Sequence, residues 1–519
     1  MLNHLHIICY RWGTKYGPEY VNTLHAMVKR NLTVPHTFHC ITDDPSRLEP
    51  GIVAHELPDT GVEGIWRKLM TFQKNFLGLE GEYVVSLDLD MVIVDNIDFL
   101  AEQPEKAFII ARNWSKDAIK GTGARASGSV YRLKVGSHSE IWDELIEDFS
   151  AAVDRYHGKT REIGEQNWLD AHFKKFDFFP EGKVVSFKRH CRAKGRNILG
   201  INTARFGKAQ PPPGAAIVSF HGDPLPPDVM FTNHGRWRHA PFVQKHWRYI
   251  PSEPLFGVII PTYNRPDYLA EALESVLKQT YSNWFAIVVD DASSADYSAI
   301  KARFQDPRIH FLRREENGGC NAARNTAIDF AVAHGADYII SLDDEDVLAP
   351  ETLAEGVKII HRYPEYDWFI SNTFGERKQN TRDIIEPAEM DWIDDYVYGK
   401  HLRGDKTHII STRVLRYDIR YNGRFRSSHM WPFYLPLAQR TKILAYPFRS
   451  RGKRYLEGGI TKSKIKHPRT LEEITSRFAR HAFVIKHRPT TWKAYKYFFL
   501  ELIKSPKRLV AYLQHKKKA

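Results

Sequence analysis

The chain has 519 residues, of which 42% are hydrophobic and 13% aromatic, and its formal net charge is +13. This length excludes a single ordinary core and suggests roughly two to four folded domains. The four cysteines form no C-x-x-C pair, which excludes a zinc ribbon or a disulfide framework and favours a reducing cytosol. No signal-peptide pattern opens the chain and no run of about 18 apolar residues occurs, so we expect a cytoplasmic protein without a membrane-spanning helix.

Residues 1 to 248 alternate between short apolar strands and amphipathic helices. The predicted strands, rich in Val, Ile and Phe, are LHIICY, TFHCITDD, EYVVSLDLD, AFIIAR, SGSVYRL and AAIVSFHG. Helices are predicted for PEYVNTLHAMVKRN and IWDELIEDFSAAVDRY. This alternation predicts an α/β domain with a largely parallel sheet.

Residues 249 to 465 form a second predicted domain of the same class. The strands FGVIIPTYN, WFAIVVDDAS and ADYIISLDDED alternate with helices such as RPDYLAEALESVLKQT, and each strand ends in polar residues. Ligands of such sheets bind beyond the carboxyl ends of the strands. We therefore expect two α/β domains in tandem, each with its site at a strand-end edge.

Residues 466 to 519 form a basic tail that is predicted to be helical. From Lys466 to Ala519 the chain has 14 Lys or Arg against 3 acids, a net charge of +11, which leaves +2 for the rest. The mixture of Trp, Tyr, Phe and Leu with Lys and Arg is typical of a helix lying in a membrane interface. We expect peripheral contact with an anionic membrane surface. A solvated helix packed on the second domain is the alternative, and no nucleic acid partner is expected.

Four motifs follow one another in the second domain: VIIPTYNRP, VVDDAS, NGGCNAARNTAI and DYIISLDDEDVLAP. In this order they strongly resemble the family 2 glycosyltransferases over about residues 255 to 465. The resemblance implies a GT-A fold (Rossmann-like, with a mostly parallel sheet), a nucleotide-sugar donor and inverting transfer. It also implies a divalent metal, Mn²⁺ or Mg²⁺, held by oxygen ligands against the donor diphosphate.

The resemblance also assigns site residues in this domain. Asp343 and Glu345 occupy the outer positions of the D-x-D motif and are the predicted metal ligands, with Glu where the family has Asp. The predicted donor-binding residues are Thr262, Asp291, Arg324 and Asp344. The first two match residues that hold the uracil and ribose side of the donor, and the third matches an arginine that braces the acid cluster.

The general base of the second domain is the main departure from the family pattern. Family members usually carry it in a Glu-Asp pair just before a Trp and a helix. Here Trp431 fits, but His429 and Met430 stand in the acid positions. His429 is the predicted catalytic base, because an imidazole with a pKa near about 6.5 can accept the acceptor's proton. The alternatives are an acid elsewhere or a domain that has lost turnover.

The first domain carries a different set of motifs: WRKLMTFQ, YVVSLDLDMVIVDNID, ASGSVYRL, GEQNWL and VSFHGDPLPPD. In this order they resemble the family 8 retaining glycosyltransferases over about residues 4 to 248. Asp88 and Asp90 stand two apart at a strand end, so both can turn toward one side. His221 matches the third metal ligand of the family, and two carboxylates with an imidazole suit Mn²⁺ better than Ca²⁺.

Three further residues complete the predicted site of the first domain. Lys68 could pair with a donor phosphate, and a solvated helix lysine is the alternative. Glu165 and Gln166 match the acceptor-side pair near the anomeric carbon, and are predicted catalytic residues. The resemblance implies front-face transfer without a dedicated base, in which Gln166 orients the reactants or stabilises charge.

Together these motifs predict a bifunctional glycosyltransferase that moves sugars from UDP-sugar donors to a growing surface glycan. The expected acceptor is a lipid-linked glycan of a capsule or lipopolysaccharide, and the expected location is the cytoplasmic face of the inner membrane. One alternative is a single active domain, with the other half a carbohydrate- or acceptor-binding module. Two separate metal motifs argue against a purely binding protein.

Overall fold

The fold is described from a computed structural model of the chain. The described residues are 1–114, 125–156, 164–192, 197–198, 201–202, 207–375, 381–399, 401–415, 418–423, 430–453 and 471–516. Contacts divide the chain into two compact units, Met1–Tyr249 and Ile250–Ala519, and the tail belongs to the second. Each unit is described by itself.

The first unit contains strands β1 to β11 and short helices. In chain order the strands are Leu5–Arg11, His36–Thr42, Ile52–Glu56, Tyr83–Leu87, Met91–Ile93, Phe108–Arg112, Ala126–Lys134, Val184–Ser186, Asn197–Ile198, Ile201–Asn202 and Ile217–Ser219. The α-helices are Pro18–Asn31, Glu140–Glu147, Phe149–Tyr156, Gly164–His172, Phe187–His190 and Pro241–His246. The 3₁₀ helices are Gly64–Phe72, Phe76–Gly78, Asp98–Ala101 and Pro226–Val229.

The main sheet of the first unit has the order β3-β2-β1-β4-β7-β6. Strands β3, β2, β1 and β4 are parallel to one another, whereas β7 runs antiparallel to both of its neighbours, β4 and β6. Apolar side chains cover both faces of this sheet, one packed by the helix Pro18–Asn31 and the other by the 3₁₀ helix Gly64–Phe72 and its neighbours. This two-sided burial explains the nearly continuous apolar runs of the central strands.

One predicted helix of the first unit is divided in the structure. The segment from residue 140 to 156 forms two helices, which break at Asp148, where φ is −150° and ψ is 80°. The Asp148 carboxylate accepts a hydrogen bond from the backbone N–H of Ala151, 2.9 Å away. Asp148 therefore caps the second helix. The apolar periodicity of the segment does not reveal this break, because it does not include the preference of Asp for helix N-caps.

The second unit contains strands β12 to β20. The strands are Phe256–Thr262, Trp284–Asp290, Ile309–Arg313, Tyr338–Ser341, Val347–Leu348, Trp368–Gly375, Ala388–Met390, Thr407–Ser411 and Ile443–Lys453. The α-helices are Pro266–Leu277, Ser298–Arg303, Cys320–Ala333, Thr352–Arg362, Thr412–Leu415, Trp431–Arg440, Leu471–His487 and Trp492–Lys516, and Trp392–Val397 is a π-helix.

The sheet of the second unit has the order β14-β13-β12-β15-β19-β17-β20-β16, with β18 paired to β20. Strands β14, β13, β12 and β15 are parallel, so their carboxyl ends meet at one edge. Every residue of β12 and β13 is buried. The large, parallel-rich sheets of the two units confirm the predicted α/β class.

The tail contains the two helices Leu471–His487 and Trp492–Lys516. The first of these packs on the rest of the unit: the indole N–H of Trp431 donates to the Ser476 hydroxyl at 2.7 Å. The Tyr398 hydroxyl and the Nδ1 atom of His481 are also 2.7 Å apart. Within the described part of the chain, no helix has both the length and the apolar content needed to cross a membrane.

Candidate functional site

The carboxyl ends of β12, β13 and β15 bring the predicted residues of the second unit to one edge. Thr262 ends β12 and is in register with Asp290, which ends β13. The acidic run Asp343 to Asp346 begins two residues after β15. Since these three strands are adjacent and parallel, polar groups from distant parts of the chain converge at this edge.

Asp291 is held at this edge by donors from the segment that follows β14. The Arg314 guanidinium lies 2.5 Å from one carboxylate oxygen of Asp291, which also accepts the backbone N–H of Gly318 at 3.1 Å. The other oxygen accepts the backbone N–H of Gly319 at 2.6 Å. Gly319 has φ 85° and ψ 169°, a conformation that suits glycine. The Asp291 carboxylate is thus fixed and buried at the entrance to the helix Cys320–Ala333.

Thr262 and Asp344 form a second group at the same edge. The Thr262 hydroxyl donates to the Asp344 carboxylate at 2.9 Å and lies 2.9 Å from the hydroxyl of Tyr297. The Arg265 guanidinium then bridges two acids, 3.3 Å from Asp344 and 2.7 Å from Glu345. Arg265 follows the end of β12 after only two residues. The end of this strand therefore supplies both the Thr262 hydroxyl and the Arg265 guanidinium to the acidic run.

Asp343 faces cations from two other elements. The Arg324 guanidinium lies 2.5 Å from one of its oxygens, and the ammonium of Lys453 lies 3.6 Å from the other. Lys453 also pairs with the fully buried Asp346 at 2.7 Å. Burial opposes ionisation, but Arg324, Lys453 and Arg451 outweigh it and hold the pKa of Asp343 below its usual value.

Glu345 has the opposite electrostatic environment. Burial, a hydrogen bond with Asp344 and repulsion from Asp343 and Asp344 raise its pKa to about 8, against the attraction of Arg265. The surroundings therefore favour the charged form of Asp343 and disfavour the charged form of Glu345. The two predicted metal ligands are close in sequence but have opposite pKa shifts.

The structure places residues beside the acidic run that were not predicted, and it leaves one predicted residue undescribed. His429 lies outside the described residues. Arg265 was missed, although its place directly after a strand-end motif is the same signal that identified Thr262. Arg451 and Lys453 were also missed, because both lie more than 100 residues after the acidic run and the sequence gives no local sign of their contact.

The first unit brings three of its predicted residues together in a buried ion cluster. The Lys68 ammonium lies 2.5 Å from the Asp88 carboxylate and donates to the Gly128 carbonyl at 2.7 Å. A Cβ placed on Gly128 would be 3.2 Å from an oxygen of Glu165 and 3.7 Å from the Lys68 nitrogen. Lys68 is 4% exposed, so the alternative of a solvated lysine is wrong.

Burial and mutual repulsion shift the titration of this cluster. Burial raises the pKa of Glu165 to about 7 and that of Asp88 to about 6, although Lys68 opposes both shifts. Burial lowers the pKa of Lys68, but the two acids outweigh it and the net shift is upward. One carboxyl oxygen of Glu165 is buried without a hydrogen-bond partner. Two acids thus share one buried cation, and one acid oxygen is left without a hydrogen-bond partner.

The remaining predicted residues lie beside this cluster. Asp90 is buried and accepts the backbone N–H of Gly222 at 3.0 Å, which brings the loop after β11, and His221 with it, next to the Asp-x-Asp motif. The side-chain amide of Gln166 lies 3.4 Å from the Glu165 carboxyl. Asn113 donates to Gln166 at 3.3 Å, so the predicted acceptor-side pair is connected to the end of β6.

A convergent metal-ligand group occurs elsewhere in this loop. Among the described residues, Asp223, Asp228 and His234 place one ligand atom each within 4.8 Å of one another. The predicted trio Asp88, Asp90 and His221 does not form such a group. Asp223 and His234 are already paired at 2.9 Å, and Asp228 accepts the backbone N–H of Leu225.

Comparison with known proteins gives a family match within the second unit. Residues 257–433 match the model of the family described as Glycosyl transferase family 2. The putative colanic acid biosynthesis glycosyl transferase WcaA of Escherichia coli K12 is 38% identical over 105 residues, 20% of this chain and 37% of that protein. The UDP-Glc:alpha-D-GlcNAc-diphosphoundecaprenol beta-1,3-glucosyltransferase WfgD of Escherichia coli is 39% identical over 93 residues, 18% of this chain and 36% of that protein.

The chain spans less than two thirds of the length of these curated relatives. Among solved structures, S. aureus TarS 1-349 in complex with UDP-GlcNAc is 22% identical, with a TM-score of 0.37, over 44% of this chain and 66% of that chain. The family match confirms the prediction of a glycosyltransferase in the second unit. The family 8 resemblance of the first unit stays a prediction.

Proposed function

We propose that the chain transfers sugars from UDP-sugar donors to a growing, lipid-linked surface glycan, and that both units are active transferases. The observation that carries this proposal is the strand-end site of the second unit, within the span that matches the family 2 model. The name of the relative WfgD specifies a UDP-Glc donor and a diphosphoundecaprenol-linked acceptor. That name supports a nucleotide-sugar donor and a lipid-linked acceptor here.

In the second unit, Thr262 and Asp291 hold the uridine side of the donor, and Arg324 and Asp344 keep the acid cluster in place. Asp291 suits this role because its carboxylate is fixed by an arginine and two backbone N–H groups. His429 takes the proton of the acceptor hydroxyl as that oxygen bonds to the anomeric carbon. The bond from the anomeric carbon to the donor phosphate oxygen breaks on the opposite face, and the nucleoside diphosphate leaves.

Asp343 and Glu345 would hold the divalent metal of this unit. Their carboxylate oxygens are the hard ligands that Mg²⁺ and Mn²⁺ prefer, and a cation would relieve the repulsion among Asp343, Asp344 and Glu345, so the residues fit. When bound, the cation supplies positive charge that stabilises the diphosphate leaving group. Arg265, which contacts Glu345 and Asp344, supplies further positive charge at this edge.

In the first unit, Lys68 and the predicted ligands Asp88, Asp90 and His221 form the donor side, and Glu165 with Gln166 forms the acceptor side. Two carboxylates and an imidazole suit Mn²⁺ as a donor set by their chemistry, although their ligand atoms do not converge within 4.8 Å of one another in this structure. A cation bound by Asp88 would free the Lys68 ammonium to pair with a donor phosphate. The Glu165 carboxyl and the Lys68 ammonium both lie beside Gly128. A movement of Lys68 would therefore change the charge next to Glu165.

Peripheral contact with the cytoplasmic face of the inner membrane belongs to the same proposal. One face of the helix Trp492–Lys516 carries exposed apolar side chains: Trp492 is 63%, Phe499 60% and Ile503 71% exposed. These residues recur at helical spacing, and Lys493, Lys496 and Lys504 accompany them. Apolar insertion beside basic residues is the chemistry that recognises an anionic lipid surface.

A single active unit is the second candidate function. The replacement of the family's Glu-Asp pair by His429 and Met430 favours it, since the second unit would then lack a carboxylate base. That half would serve as a carbohydrate- or acceptor-binding module.

Product analysis separates the two candidates. The purified chain is incubated with Mn²⁺, a panel of UDP-sugars and lipid-linked acceptors, and the products are compared for wild type, Asp90→Asn, Glu345→Gln and His429→Ala. Asp90→Asn changes the first unit and Glu345→Gln changes the second, so each variant is the matched control of the other. Loss of a different product in each supports two active units.

A further inference from the structure

Arg265 differs from three other basic residues that contact the acidic run, because its side chain is only partly buried. The side chain of Arg265 is 34% exposed, whereas those of the other three are 8%, 9% and 8% exposed, in the order Arg324, Arg451 and Lys453. Arg324 also lies over the ring of Tyr421, and Arg451 also donates to two backbone carbonyl groups. Arg265 is therefore the member of this group whose guanidinium has room to move.

The backbone of Arg265 is fixed, so a change of position is confined to its side chain. Arg265 stands directly before the helix Pro266–Leu277, and its backbone N–H donates to the Tyr297 hydroxyl at 3.0 Å. The Tyr297 hydroxyl lies 2.9 Å from that of Thr262, the last residue of β12. The guanidinium is thus carried by an anchored part of the strand-end site.

One terminal nitrogen of the guanidinium, Nη1, makes both contacts with the acidic run. It lies 2.7 Å from Oε2 of Glu345 and 3.3 Å from Oδ1 of Asp344. A single nitrogen shared by two acids lacks the two parallel hydrogen bonds of a strong arginine–carboxylate pair. If Arg265 moved away, Asp344 would keep its hydrogen bond from the Thr262 hydroxyl. The Arg265 contact is therefore one that a better partner can replace.

Arg265 and a divalent metal ion compete for Glu345. This acid pairs with Arg265 and is also a predicted metal ligand. A cation bound to either oxygen of the Glu345 carboxylate would stand within about 8 Å of the guanidinium, a distance over which like charges repel at physiological salt. The metal therefore binds better when the guanidinium is drawn to another partner.

The donor diphosphate is the partner whose chemistry suits Arg265 best. A diphosphate is strongly anionic, and a guanidinium binds phosphate oxygens through two parallel hydrogen bonds. A metal held by Glu345 against the diphosphate brings phosphate oxygens to the acid that Arg265 contacts. The nucleotide thus offers Arg265 a stronger pair than the shared contact with Glu345 and Asp344.

We infer that Arg265 exchanges Glu345 for the donor diphosphate, and that this exchange makes the binding of metal and nucleotide cooperative in the second unit. This inference rests on the proposed function and adds the coupling between its two ligands. Without nucleotide the guanidinium competes with the metal, and with nucleotide it contacts the phosphate. Because linkage is reciprocal, the metal also raises the affinity for the nucleotide.

The test measures Mn²⁺ binding to the full chain with and without UDP, by electron paramagnetic resonance of the free ion and with correction for Mn²⁺ bound to free UDP. The parent chain carries Asp90→Asn, which removes a predicted metal ligand of the first unit. The binding that is lost on adding Glu345→Gln to this parent defines the site of the second unit. We expect UDP to tighten binding at that site at least about tenfold.

Arg265→Gln in the same parent should tighten Mn²⁺ binding without UDP about fivefold, the value of one partly exposed ion pair. It should also reduce the effect of UDP to less than about threefold. Arg265→Lys keeps the positive charge, so its Mn²⁺ affinity without UDP should stay within about twofold of the parent. Arg303→Gln, which removes the exposed pair of Arg303 with Glu274 in the same unit, is the matched control and should change neither affinity.

An Mn²⁺ affinity of Arg265→Gln without UDP that equals or falls below that of the parent would overturn the inference, as would an unchanged effect of UDP. Failure of the proposed function gives a different result, because the parent would then show no Glu345-dependent Mn²⁺ binding with or without UDP. Tighter metal binding in Arg265→Gln, a reduced effect of UDP and a silent Arg303→Gln together support the exchange.

Discussion

Replacing Glu165 by Gln tests the buried ion cluster of the first unit. Glu165 is 2% exposed, one of its carboxyl oxygens has no hydrogen-bond partner, and burial raises its pKa to about 7. Lys68, its cationic neighbour, is already 2.5 Å from Asp88. Glutamine has the shape of the protonated acid but never ionises, so Glu165→Gln removes the cost of burying the charge.

The magnitude follows from the pKa. Glu165 titrates near 4.5 when unfolded and near about 7 when folded, so the folded state binds the proton more tightly. The wild type therefore loses stability as the pH rises between these values, and at pH 8 the loss is about 3 kcal/mol. We expect Glu165→Gln to raise the free energy of unfolding of the first unit by about 3 kcal/mol at pH 8 and by less than about 1 kcal/mol at pH 5.

The assay is hydrogen exchange as a function of urea, in EDTA, followed in peptides from β4 and β7 so that it reports the first unit. Glu181→Gln, at an exposed position of the same unit, is the matched control and should change stability by less than about 0.5 kcal/mol at either pH. A variant that is less stable than wild type at pH 8, or a difference that does not depend on pH, would refute the reasoning.

Two further predictions concern the second unit. Lys453→Met should lower the free energy of unfolding of this unit by about 3 kcal/mol, because the fully buried Asp346 loses its closest cation. The control Lys442→Met removes an exposed ion pair and should cost less than about 1 kcal/mol. Equal effects of the two variants in urea denaturation would contradict this prediction. Replacing Trp492 and Phe499 by Ser should reduce binding to vesicles with phosphatidylglycerol at least about tenfold in a sedimentation assay. Ile385, an exposed apolar residue of the same unit, is the control position. Unchanged binding of the double variant, or an equal loss in Ile385→Ser, would rule out the last helix as the lipid-facing element.

The parts of the site that could be predicted are those at strand ends. Thr262 and Asp291 stand at the carboxyl ends of two apolar strands, and adjacent parallel strands bring such positions together. The same rule placed the acidic run from Asp343 beside them. Arg265 was available to the same reasoning, because it follows β12 after only two residues.

The contacts that could not be predicted join distant segments. Lys68 was predicted as a phosphate partner, and only the packing of its 3₁₀ helix against β7 shows that its ammonium meets Asp88. The tail was predicted as a helix, but the ion pair of Arg488 with Asp391, the residue just before the π-helix Trp392–Val397, depends on the tertiary fold.

Product analysis of single-site variants tests the central proposal of two active units most directly. With Mn²⁺, UDP-sugars and lipid-linked acceptors, we expect Asp90→Asn and Glu345→Gln each to lose one product and to keep the product that the other loses. Mass spectrometry of the extracted glycolipids measures both products in one sample. If Glu345→Gln leaves every product unchanged, the acidic run of the second unit does not support transfer, and the account of two active units is wrong.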